Sequence, residues 1–194
     1  MAKRLIDRIK ESLEKEGMEP RTRAARQWLR VKAQNLRVSR TNLMRDRLRL
    51  KDKSIIGRMY FYFYDPKLKD TLPYYDRFPL VIPIRKHQDG FIGLNLHYIS
   101  PKQRIILLDK LSIILSNHDY DETTRFRISY NFLKASTKMF EAKPCIKKYL
   151  FKHIESRFLE ITADEWDIAA LLPVEFFEKE KKNKVWMESQ EQFR

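Results

Sequence analysis

"TLPYYDRFPLVIPI", residues 71–84, is the stretch on which the fold turns. It sets three prolines, three aromatics and an Asp–Arg pair around a short apolar run, with no glycine. Proline cannot donate to a strand ladder, so central strands normally exclude it. Pro79 and Pro83 flank "LVI". They predict a strand with a hydrogen-bonded core of about three residues, placed at a bend or an edge.

The neighbouring segments share this character. "IGRMYFYFYD", residues 56–65, is rich in aromatics and ends at Asp65–Pro66, a turn signal. "FIGLNLHYI", residues 91–99, alternates Ile92, Leu94 and Leu96 against Phe91, Gly93, Asn95 and His97. Asp89–Gly90 marks the turn before it. Residues 55–99 thus predict three short strands, the pattern of a small antiparallel barrel of the Src-homology-3 type. Helical signals lie on both sides, so the expected class is α+β, with the barrel surrounded by helices.

Residues 3–16 repeat Leu5, Ile6, Ile9 and Leu13 at helical spacing, and Gly17 suits the position just past the helix end. A second helix is expected over residues 21–36, with Ala24, Trp28 and Val31 as its apolar stripe. "LMRDRLRLKDK" reads as helical or irregular. Beyond the strands, Ser100 caps a helix that opens at Pro101, with Ile105, Leu108, Leu111 and Leu115 on one face. Residues 119–136 and "KPCIKKYLFKHIESR" predict two more helices, the first on Phe126, Tyr130 and Leu133, the second on Ile146, Leu150 and Ile154. "FLEIT" and "EWDIAALLP" predict strands or a strand and a turn. The organisation expected is a basic helical N-terminal arm (1–53), a mixed α+β domain (54–178) and a charged, extended C-terminal tail (179–194).

The formal net charge is +14, and it is unevenly spread. Residues 21–53 carry twelve cations: Arg21, Arg23, Arg26, Arg30, Lys32, Arg37, Arg40, Arg45, Arg47, Arg49, Lys51 and Lys53. Only Asp46 and Asp52 oppose them, so this segment alone is +10. A polyanion is the expected partner; a solvated helix face is the plainer alternative. Trp28, the only large aromatic in residues 1–53, is expected to anchor the arm.

Catalytic motifs are missing. Four glycines, Gly17, Gly57, Gly90 and Gly93, cannot build a phosphate-cradling loop. One cysteine and the scattered His87, His97, His118 and His153 give no zinc spacing, so neither metal nor cofactor is expected. Cys145 reads as a small buried residue, and a single cysteine fits synthesis in a reducing cytoplasm. No apolar run reaches the ~20 residues of a membrane span, and the N-terminus lacks a signal peptide's apolar block. A metal nuclease would need Asp65, Asp70 and Asp76 with Lys67 or Lys69. Each of those carboxylates also has an ordinary turn, capping or ion-pair explanation. Tyr60, Tyr62 and Tyr64 fall opposite Phe61 and Phe63 on the strand. With Tyr74 and Tyr75 they are candidates for partner contact, for base stacking, or for packing inside the chain.

The runs "GRMYFYFYDPKLKDTLPYYDRFPLVIPI", "DGFIGLNLHYISPKQRIILLDKL", "YDETTRFRISYNFLKAS", "KPCIKKYLFKHIESRF" and "EWDIAALLP" resemble the DNA end protector family of virion proteins from T-even-type contractile-tailed phages. The likeness spans roughly residues 54–175, plus the tryptophan of "ARQWLR". It implies a non-enzymatic protein made in the host cytoplasm and carried in the virion. The resemblance implies that such a protein sits on the end of packaged double-stranded DNA near the head–tail neck, holds its phosphate backbone without base reading, and shields it. The tail, with Glu188 and Glu191, is less basic than that role suggests. A neck, tail or baseplate assembly protein binding other virion subunits remains the alternative, because Tyr, Trp and Arg also mark interfaces.

Overall fold

The computed structural model describes residues 4–115 and 140–192, with side chains over 4–109 and 143–192. The helix expected over residues 119–136, His118, and the side chains of Leu111 and Leu115 lie outside the described residues.

Eight strands are found among the described residues: β1 Leu50–Lys51, β2 Met59–Phe61, β3 Tyr75–Asp76, β4 Leu80–Lys86, β5 Gly90–Asn95, β6 Ile146–Leu150, β7 Phe158–Ile161 and β8 Phe177–Glu178. Six of them form one sheet in the order β1-β7-β2-β4-β5-β6, and every pairing in it is antiparallel. β3 and β8 pair separately. The α+β expectation holds, but the described residues form an open sheet and not a closed barrel, because β1 and β6 end the sheet without pairing to each other. The segment 55–99 supplies only three of the six strands, and β7 inserts between β1 and β2.

β4 is longer than its prolines suggested. It runs seven residues straight through Pro83. Val81 and Leu80 pair with β2, and Pro83 lies beyond that pairing at an irregularity against β5, where a missing N–H breaks no ladder. Its carbonyl accepts from the Gly57 amide at 2.8 Å.

The helices are α1 Leu5–Lys15, α2 Arg23–Gln34, α3 Arg40–Leu43, α4 Pro101–Leu115, α5 Trp166–Leu171 and α6 Lys182–Glu191. Local signals account for several boundaries. Gly17 stands past α1 at φ +66°, and the Met18 amide bonds back to the Leu13 carbonyl at 3.1 Å. Thr22 caps α2 through the Ala25 amide. At α4, Ser100 and Gln103 cap each other reciprocally: the Gln103 amide donates to Ser100 Oγ and the Ser100 amide to Gln103 Oε1.

Three readings are corrected. "KPCIKKYLFKHIESR" forms strand β6 and a short 3-10 turn, since β5 offers a ladder for it. "EWDIAALLP" forms α5, buried all round. The tail forms α6, held by buried Val185, by Trp186 Nε1 donating to the His97 carbonyl at 2.8 Å and by Ser189 Oγ donating to the Tyr98 carbonyl at 2.7 Å.

A single apolar cluster joins the helices to one face of the sheet. It contains Ile6, Ile9 and Leu13 of α1 and Ala25, Leu29 and Ala33 of α2, together with Phe61, Leu80, Ile82, Leu94 and Ile161 of the strands. The segment expected as an added arm therefore shares the core, and β1 within it pairs with β7. The opposite sheet face has its own cluster of Tyr60, Tyr62, Tyr64, Val81, Phe91, Tyr149 and Phe158.

Candidate nucleic-acid interface

The basic segment divides by what each cation touches. Arg26, 1% exposed, sits inside α2 and binds Asp109 of α4 and Asp167 of α5, the latter through Nε at 2.8 Å. Burial raises the Asp167 carboxyl, and Arg26 only partly offsets it. Arg40 donates to the carbonyls of Val174 and Glu175 at 2.8 and 2.6 Å and covers the Phe176 ring, while desolvation lowers its own pKa. Arg49 bonds the fully buried Glu165, which Arg4 and Lys10 also approach at 3.6 Å. These three arginines, expected as phosphate contacts, are engaged within the fold, Arg26 buried and Arg40 and Arg49 half-buried. The expected stripe of α2 is displaced for the same reason: Ala24 and Val31 face solvent, and the buried face is Ala25, Arg26, Leu29 and Ala33.

A second group faces outward. Arg23, Arg37, Arg45, Arg47 and Lys53 are exposed and have no carboxylate partner among the described residues. Lys32 is exposed with its ammonium 5.4 Å from the Trp28 ring centroid, and Lys51 is exposed with Glu160 at a loose 3.9 Å. Arg21 is half-buried at φ +67° beside the Asp167 field, and half-buried Arg30 has its Nε enclosed without a partner. Trp28 is itself half-buried, lining a cavity of about 210 Å³ with Ile9, Leu29, Leu36 and Ile168. It contributes to docking α2, but Leu29 and Arg26 lie deeper.

Tyr60, Tyr62 and Tyr64 are sealed in the second cluster and are not surface contacts in this fold. Tyr149, Phe158 and Phe91 close over them in edge-on and tilted packings, with Tyr62 and Phe158 centroids 5.1 Å apart. Tyr60 and Tyr64 hydroxyls accept from the amides of Ile55 and Leu150, and the Tyr62 hydroxyl is buried without a partner. Tyr74 and Tyr75 are half-buried; burial and Glu188 push Tyr74 up to about 12.

The three candidate nuclease carboxylates are dispersed. Asp65 bonds Lys69 and Arg77, each at 2.9 Å. Asp70 is exposed. Asp76 is buried, 2.7 Å from His97 Nδ1 and 3.1 Å from Asn95 Nδ2, and accepts from the Phe78 amide. Sequence reasoning missed the buried network around it. Arg104 donates to the carbonyls of Leu96, Ile99 and Ala170 and pairs with Glu175 at 2.7 Å. Burial opposes ionisation of Glu175, but Arg104, with His97 and Lys182, overcomes this and holds the carboxyl at about 2. Cys145 is buried, and desolvation pushes its thiol up to about 12, which leaves it unreactive. Among the described residues no cluster of His, Cys, Asp or Glu has metal-binding geometry, and no helix is long and apolar enough to cross a membrane.

Residues 4–189 match the family model described as phage T4 terminal DNA protecting protein. No curated protein and no solved structure matches the chain.

Proposed function

The chain belongs to the phage T4 terminal DNA protecting protein family, a family of non-enzymatic proteins acting on DNA ends, and we propose that it holds the duplex through the outward cations of residues 21–53. What supports this assignment is the sorting within that segment: Arg23, Arg37, Arg45, Arg47 and Lys53 are left uncommitted while their neighbours are fastened inside. Arginine forks suit phosphate oxygens. A shield must block a nuclease sterically, so tight backbone contact suffices and base reading has no place. The protein acts in the virion, on the end of the packaged duplex near the head–tail neck, where other virion proteins are its neighbours.

About five phosphate contacts give a log–log salt slope near −4.5. Replacing Arg37, Arg45 and Arg47 with Ala should reduce the slope by about three and shorten exonuclease protection of linear duplex. Unaltered slope and protection in that variant would reject the outward cations as the DNA contact. Equal affinity for circular and linear duplex would remove the preference for ends.

A further inference from the structure

A second charged surface lies at the far end of the sheet, away in sequence from the N-terminal segment. The β4–β5 hairpin tip and the turn after β6 meet there. Arg85 pairs across β5 Ile92 to Lys148, and Lys86 pairs with Phe91 in the next register position. The Phe151 amide donates to the Asp89 carbonyl at 3.0 Å, which places the Phe151–Lys152 turn against the hairpin tip. A Cβ on Gly90 would lie 1.9 Å from the Tyr149 carbonyl, so the two turns are packed without slack.

Arg85, Lys86, Lys148 and Lys152 are all exposed. The carboxylates nearby are matched: Asp89 by Lys148 at 3.0 Å, and Asp65 and Glu155 behind the turn by Lys69 and Arg77. On the Phe91 side of the sheet stands Phe151, 41% exposed, its ring 6.0 Å from buried Phe91; Arg85 and Lys148, in register with Ile92, belong to the other side. An isolated exposed aromatic needs no explanation by itself. With Lys86 registered opposite Phe91 on the same sheet face and Lys152 next to it in sequence, neither answered by a carboxylate among the described residues, it has the make-up of a stacking platform beside a phosphate track. A single ring is too little apolar area for a protein interface, and the charge selects a polyanion.

We infer that Phe151 stacks on an unpaired terminal base of the DNA end, with Lys86 and Lys152 taking the phosphates of that strand. This rests on the reading of the protein as a binder of DNA ends, and it names the chemistry that distinguishes an end from continuous duplex. An end frays or overhangs, and only there is a base face free.

The test uses the full chain and two hairpin duplexes, each with one free end, one blunt and one bearing a short unpaired overhang with 2-aminopurine in it. The wild type should favour the overhang roughly tenfold and quench its fluorescence. Phe151→Ala and Phe151→Leu should lose the preference and the quenching while binding the blunt hairpin with an unaltered salt slope. Phe151→Trp should keep both. Lys86→Ala with Lys152→Ala should flatten the slope for the overhang alone, by about 1.4 at roughly 0.7 per single-strand phosphate. Equal binding of the two hairpins by the wild type, or a preference that survives in Phe151→Leu, overturns the inference and leaves the outward cations of residues 21–53 untouched. A wild type that binds neither hairpin defeats the DNA-end reading itself. Unaltered DNA binding in every Phe151 variant, with loss of particle assembly, would assign the patch to a protein partner.

Discussion

Arg26 and Arg37 stand eleven positions apart in one basic segment and do opposite work. Arg26 is sunk between three helices and answered by two carboxylates, whereas Arg37 is in water and answered by none. A formal +10 over residues 21–53 therefore overstates the charge this segment can offer a partner. Guanidinium groups close to buried carboxylates are neutralised and desolvated. Only those left in solvent project a field that DNA phosphates feel.

The sharpest way to break the comparison is to remove the inward arginine. Arg26→Ala should cost about 3–5 kcal/mol in denaturant unfolding, because it leaves Asp167 buried and unpaired. A loss under about 1 kcal/mol would mean that the inward group is not a fastener. The folded fraction should still bind DNA with the wild-type salt slope.

Next in size is the acid dependence of a second inward arginine, Arg104. Its partner Glu175 is held at about 2 against an ordinary 4.5. A carboxyl depressed on folding contributes stability that is fully present above about 4.5. That contribution is lost as the pH falls from there toward about 2. On the order of 3 kcal/mol is at stake. Unfolding measured across that window should fall more gently in Glu175→Gln, whose stability is already low at neutral pH. Parallel profiles for the two proteins would refute the pairing.

The smallest stability effect belongs to the outward group. Arg37, Arg45 and Arg47 replaced together by Ala should shift unfolding by no more than about 0.5 kcal/mol each. The same variant is the one expected to lose salt-dependent DNA affinity. A large destabilisation would erase the distinction between the two groups.

How far the sequence was legible follows the range of the signals. Ser100, Pro101 and Gln103 fix the start of α4 within four residues, and Gly17 fixes the end of α1. The β2 and β5 segments were legible from their aromatic and alternating patterns. The failures are equally specific. Ile146 and Leu150 lie four apart, a spacing that shares a face in a helix and in a strand alike, so periodicity could not choose. The ladder of β5 chose strand. The apolar run of α5 is too short for its period to speak, and burial on every side settled it as a helix. The tyrosine face stayed open between partner contact, base stacking and internal packing, because nothing local announced that Tyr149 and Phe158, from distant strands, would cover it.

The sequence by itself determined the basic excess of residues 21–53, the lack of catalytic and metal motifs, the main strands between residues 55 and 99, and the family likeness. Each is composition or short-range pattern. Only the tertiary structure decided which cations remain available to DNA. Arg26 meets Asp109 and Asp167 across 83 and 141 positions, and Arg49 meets Glu165 across 116. Charge on a residue is fixed by its chemistry. Whether that charge is spent inside depends on partners that only the folded chain brings within a few ångströms.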